Sequence, residues 1–153
     1  MSSGSRRLFL TIAIFAVLGI AVSSVSLAQH YSTSKTSFCD FGESFNCDIV
    51  NRSEYSTIAG VPVALIGILG YALLLAFATL YRRKAETPGI LLLMSSVGLA
   101  FALYLTYVEK FILVVWCILC LSSLALIFVI TVLSGWLFIC SVRESGPKQG
   151  FVP

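Results

Sequence analysis

The sequence predicts an all-α membrane protein, a bundle of four transmembrane helices with a long outer loop between helices 1 and 2. Three observations lead there. Of 153 residues, 58% are hydrophobic and only 11% are charged, whereas soluble domains carry about 25% charged residues. The apolar residues fall into four runs, at 8–28, 61–81, 89–108 and 111–139. Each reaches the roughly 20 residues with which a helix crosses about 30 Å of hydrocarbon. A β-barrel would instead show segments of about ten residues with alternating polarity, and none is visible.

The first run follows Arg6 and Arg7 and ends in "SVSLAQ", which also resembles the cleavage region of a signal peptide after Ala28. Its length favours a retained span, and the loop that follows lies outside under either reading. That loop, 29–60, begins with the polar "HYSTSKTS" and ends with "SEYSTIAG", a stretch suited to lying on the membrane surface. Pro62 then opens the second helix, where a proline is well placed. Gly60, Gly67 and Gly70 are expected to allow close helix packing. The link "RRKAETPG" is short, so the second and third spans should be antiparallel. Only Glu109 and Lys110 separate the third run from the fourth, which predicts a tight, solvated turn, with a proton relay there as the lesser reading. There is no repeat and no polar linker, and residues 1–153 read as one domain.

Basic residues orient the bundle. Arg6, Arg7, Arg82, Arg83, Lys84, Arg143 and Lys148 fall on one side. Lys35, Arg52 and Lys110 fall on the other, beside Asp40, Glu43, Asp48, Glu54 and Glu109. Both termini are therefore expected in the cytoplasm, with the long loop facing the outer compartment of a plasma or inner membrane. This asymmetry accounts for the net charge of +3, and no nucleic-acid partner is expected.

Cysteines supply the chemistry. Cys39 and Cys47 lie in the outer loop, and Cys117 and Cys120 form a Cys-x-x-Cys near the outer end of the fourth run. Cys140 lies twenty residues beyond Cys120, roughly 30 Å along a helix. That is too far for a bridge, whose Cα atoms must lie within about 7 Å. The outer face permits disulfides. A helical Cys-x-x-Cys straddling the edge of the membrane would let a lipid-soluble oxidant meet the deep sulfur and a loop thiol meet the shallow one. Two plainer readings remain open at this point: a loop staple for the wide pair, and small buried hydrophobes for the close pair. The spacing does not suit zinc, and no metal is expected.

The order of these features resembles the vitamin K epoxide reductase family in its prokaryotic form. A wide pair in the first outer loop, "CDFGESFNC", is followed six residues later by Ser53, then by "GVPVALIGILGY", then by "CILC". The other family of quinone-linked disulfide oxidases carries its Cys-x-x-Cys in the first outer loop, the reverse of this order. The resemblance covers residues 8 to 140 and implies a four-helix bundle enclosing a quinone. It also implies that Cys117 and Cys120 are the active pair, with Cys120 next to the quinone, and that Cys39 and Cys47 relay electrons from a partner. Ser53 matches a loop serine that helps to hold the site, and Ser56 is the nearest polar match to a quinone-binding asparagine of the vertebrate enzymes. Leu124 stands where those enzymes have a tyrosine, so the resemblance implies reduction of a quinone (menaquinone, ubiquinone or a vitamin K-like ring) rather than of an epoxide.

The expected activity is thus thiol–disulfide oxidation. A separate thioredoxin-like (DsbA-like) protein would exchange with the Cys39–Cys47 disulfide, a loop thiolate would attack Cys117, and Cys120 would pass the electron pair to the quinone. Vitamin K epoxide reduction and a membrane scaffold with structural disulfides are the alternatives. Trp116, Phe111 and Tyr107 fit either a stack on the quinone ring or an interfacial aromatic belt. "NRS" at 51–53 fits a glycosylation acceptor. His30 and Cys140 are given no role.

Overall fold

The computed structural model describes residues 3–32, 47–51, 53–58 and 60–145. The charges expected to orient the bundle at Lys35, Asp40, Glu43, Arg52 and Lys148 lie outside the described residues. The described chain is dominated by helices α1 (Ser3–Tyr31), α2 (Cys47–Asn51), α3 (Val63–Thr79), α4 (Thr87–Val108) and α5 (Ile118–Ser145). Between α2 and α3 stand a 3₁₀ turn, Glu54–Ser56, and a two-stranded antiparallel hairpin of β1 (Thr57–Ile58) and β2 (Val61–Pro62).

Among the described residues, three helices are long and apolar enough to cross a membrane: α1, α4 with its continuation to Leu113, and α5. They are apolar on every face, the pattern of a helix that meets hydrocarbon or protein all round. Leu10, Leu103 and Trp136 are exposed on them. The fourth apolar helix, α3, is shorter, at 17 residues. The expected run 61–81 is trimmed at its start because Val61 and Pro62 pair with β1, and Thr57 lies opposite Pro62.

α1 packs against α3 and α5, and α4 packs against α5. The shared core is built from Ile12, Ala16, Tyr71, Leu74, Leu91 and Ile130. Small residues set the closest approach. A Cβ on Gly19 would stand 2.4 Å from the Tyr71 ring, so only glycine lets α3 seat its tyrosine against α1. Gly67 does the same for Ser23, whose Oγ would meet an added Cβ at 2.9 Å. The expected packing role does not extend to Gly70, which has open space beside it. Gly60 serves the hairpin through its φ of +82°, a conformation that costs a side-chain-bearing residue energy.

The largest departure from the sequence expectation lies between the third and fourth spans. No tight solvated turn forms at Glu109 and Lys110. The chain continues from α4 into a π-helical turn, Glu109–Leu113, and reverses at Val114, whose φ of 54° is left-handed. A β-branched residue rarely adopts that region. α5 therefore begins at Ile118, not at 111. Cys117 immediately precedes the helix and Cys120 sits in its first turn, rather than two turns in.

Candidate functional site

The start of α5 fixes the cysteine pair. Cys117 stands at the N-cap: its carbonyl accepts from Leu121 N–H at 3.0 Å, and its Sγ accepts from Cys120 N–H at 3.4 Å. A sulfur thus fills the place usually taken by a serine or aspartate oxygen. Free amides at a helix N-terminus favour negative charge. In the reduced pair, hydrogen bonding from the Cys120 thiol draws the Cys117 thiol below its usual pKa, against the opposing effects of burial and the nearby Glu109 carboxylate. A lowered thiol is a better nucleophile at neutral pH, which suits Cys117 to closing a disulfide onto Cys120.

The two sulfurs face different surroundings. Cys117 is fully buried, in a small cluster with Cys47, Val50 and Val115. Cys120 is half-buried and lines a partly open cavity of about 650 Å³ between α1, α3, α4, α5 and the hairpin region. The cavity wall is mostly apolar, with aliphatic side chains such as Leu74, Val97 and Ile127. Tyr71 closes one side and is held there by its hydroxyl, which donates to the Ser123 carbonyl at 2.9 Å.

Polar groups gather at the end of the cavity near α2. Asn51 Nδ2 donates to Gln29 Oε1 at 3.1 Å, and its Oδ1 accepts from Ser26 Oγ at 2.7 Å. His30 Nδ1 meets the Asn51 carbonyl. These bonds tie the C-terminal end of α1 to α2 and so hold Cys47 beside Cys117. Ser53 and Ser56 both line the cavity. Their hydroxyls donate to the carbonyls of Val50 and Ser53, at 2.8 and 2.7 Å, and stabilise the turns that lead to the hairpin. Each serine oxygen keeps acceptor capacity toward the cavity.

Of the residues singled out from sequence, Cys47, Cys117, Cys120, Ser53 and Ser56 are brought to one end of the bundle. Trp116 is not among the residues that line the cavity. Tyr107 and Phe111 stack on each other, with ring centroids 4.8 Å apart, and both are exposed. Cys47 is disulfide-bonded, whereas Cys117, Cys120 and Cys140 are free thiols. Cys39 lies outside the described residues.

Glu109 is the residue the sequence ranks too low, with a proton relay set below a solvated turn. Expected to be solvated, it is 2% exposed, because the π-helical turn swings it inward instead of out. Its Oε2 accepts from Cys117 N–H at 3.3 Å, and the carboxylate and both sulfurs have donor atoms within 4.8 Å of one another. Three donors fall one short of a closed tetrahedral zinc site, and both sulfurs are consumed whenever the pair is oxidised. The cluster is better suited to redox and proton chemistry. A signal was present: acidic side chains at membrane depth are rare and mark function, and Glu109 lies eight residues before Cys117. Asn51 and His30 carried no such signal, since their roles arise from packing between distant segments.

The model of the vitamin K epoxide reductase family matches residues 10–135 of the chain. The match takes in both cysteine pairs and all but the two ends of the described fold.

Proposed function

The chain belongs to the vitamin K epoxide reductase family, an integral membrane oxidoreductase, and from that premise we propose that it is a four-span enzyme that moves electrons from an external dithiol protein to a membrane quinone. One observation carries this reading. The Cys-x-x-Cys is divided, with one sulfur against the Cys47 disulfide and the other on the wall of a large apolar cavity. A pair so placed can exchange with a protein disulfide on one side and meet an apolar oxidant on the other.

The cavity suits a quinone in size and character. Ligand pockets of drug-sized molecules run to about 300–1,000 Å³ and combine apolar walls with few polar groups. Here the apolar wall would hold the ring and the start of its prenyl tail. His30, Ser53 and Ser56 offer polar atoms to the ring oxygens. The quinone accepts two electrons and two protons and leaves as quinol.

On the protein side, a reduced thioredoxin-like partner attacks the loop disulfide of Cys39 and Cys47, and a mixed disulfide forms. Once it resolves, a loop thiolate attacks the Cys117–Cys120 disulfide, the second loop thiol resolves that mixed disulfide, and the loop S–S bond re-forms as the Cys117–Cys120 pair is left reduced. The S–S bond between Cys117 and Cys120 closes again as the electron pair passes from Cys120 to the quinone. Cys39, Cys47 and the active pair all belong to the outer side, both termini to the cytoplasm, and the net product is a disulfide in the partner. A scaffold held by structural disulfides would have no use for an unbridged dithiol beside an apolar cavity.

Occupancy of the cavity can be tested without turnover. In anaerobic, fully reduced protein, added menaquinol cannot accept electrons but should still bind. Alkylation of Cys120 by a small apolar reagent, followed by mass spectrometry, is expected to slow as menaquinol is added. Cys140, outside the cavity, should react at an unchanged rate. Equal alkylation of Cys120 with and without quinol would remove the cavity as the quinone site.

A further inference from the structure

We propose that Glu109 is a catalytic carboxylate that carries protons from the cysteine pair to the quinone. The proposal rests on the quinone-reductase reading above and adds a residue to it. Glu109 lines the same cavity as Cys120. Its Oε1 is buried and has no hydrogen-bond partner. One oxygen of the carboxylate lies within 4.8 Å of both sulfurs.

A structural role alone would not call for an acid. The side-chain hydrogen bond that Glu109 accepts from Cys117 N–H would be accepted equally well by a glutamine. Burying a neutral amide costs much less than burying a carboxylate. An ionisable group in such a place, beside two redox sulfurs and a cavity, is the pattern of a functional site.

The step balances as follows. Two S–H bonds break and one S–S bond forms between Cys117 and Cys120. Two electrons pass to the quinone ring and two protons to its two oxygens. Thiols lose their protons slowly to an apolar cavity that holds no base. Glu109 takes the Cys120 proton as that sulfur gives up its electron pair, passes it to a quinone oxygen, and then serves the Cys117 proton in the same way. It ends the cycle in its starting state.

The two half-reactions can be read separately in the full-length protein. The first is reduction of the oxidised pair by dithiothreitol without quinone. The second is single-turnover oxidation of the reduced pair by added menaquinone. Glu109→Gln keeps the acceptor for Cys117 N–H. It is expected to slow the second reaction by about 10²- to 10⁴-fold, the range of general acid–base catalysis, and to leave the first little changed. Glu109→Asp should recover part of the rate, and formate added to Glu109→Gln should recover more as its concentration rises. Unchanged quinone reduction in Glu109→Gln would overturn the proposal. So would an equal slowing of both half-reactions that neither aspartate nor formate relieves. If the wild type itself forms no quinol, the quinone reading fails and the proposal goes with it. Wild-type turnover matched by Glu109→Gln removes Glu109 alone.

Discussion

Replacing Cys120 with alanine is expected to abolish quinone-dependent oxidation of any thiol donor. The loss should be on the order of 10³-fold or more, the scale on which removing a nucleophile disables a unit of residues acting together. The reason is positional. Among the cysteines described, Cys120 alone lines the cavity, so no other described thiol can deliver electrons to what the cavity holds. Cys117 is fully buried and does not line the cavity, so it cannot substitute. Cys140→Ala is the matched control, a free thiol on the same helix but more than five turns away, and it should retain wild-type activity. The check is quinol formation followed by absorbance with a small dithiol as donor, so that partner recognition does not enter. Residual activity in Cys120→Ala comparable to wild type would mean that electrons reach the quinone by a route that bypasses the cavity.

Cys47→Ala should separate the two ends of the relay. Cys47 is disulfide-bonded and packs in the same buried cluster as Cys117, and so links α2 to the Cys-x-x-Cys pair. Without it, a reduced thioredoxin-like protein would have to reach Cys117 directly, through the covering of Cys47, Val50 and Val115. Oxidation of that partner is expected to fall about 10²-fold, the scale lost when a held, intramolecular step becomes an unpositioned one. A small dithiol such as dithiothreitol needs no relay and should continue to drive quinol formation at a much higher relative rate. Parallel assays with the two donors check this. If both donors lose activity equally, the loop disulfide is a structural staple, and the plainer reading of the wide pair is the correct one.

Both expectations use residues that stand out in the sequence, yet the geometry behind them does not. The helical membrane character was legible because apolar runs of the right length have no soluble alternative. The cysteine order was legible because thiols are few and their spacing is distinctive. The start of α5 was not. Hydropathy runs unbroken from Phe111 onward, and no glycine or proline marks the change of direction at Val114. A left-handed valine is stabilised by tertiary packing, and no local propensity announces it. Glu109 was misread for a related reason. An acid followed by a lysine between two apolar runs has the signature of a surface turn, and only the π-helical turn rotates it inward while Lys110 stays exposed. The second apolar run was shortened because Val61 and Pro62 pair with a strand too short to show any alternation. His30 and Asn51 meet across 21 positions of sequence, and neither is unusual where it stands.

The central claim, transfer from a protein dithiol to a quinone through this chain, is tested most directly by counting both products. Purified protein would be supplied anaerobically with an excess of a reduced thioredoxin-like protein and of menaquinone, and partner disulfide and menaquinol measured over many turnovers. Equal amounts of the two, formed at the same rate and only when the protein is present, are the predicted result. Partner oxidation without quinol, or no oxidation by any quinone supplied, would contradict the claim.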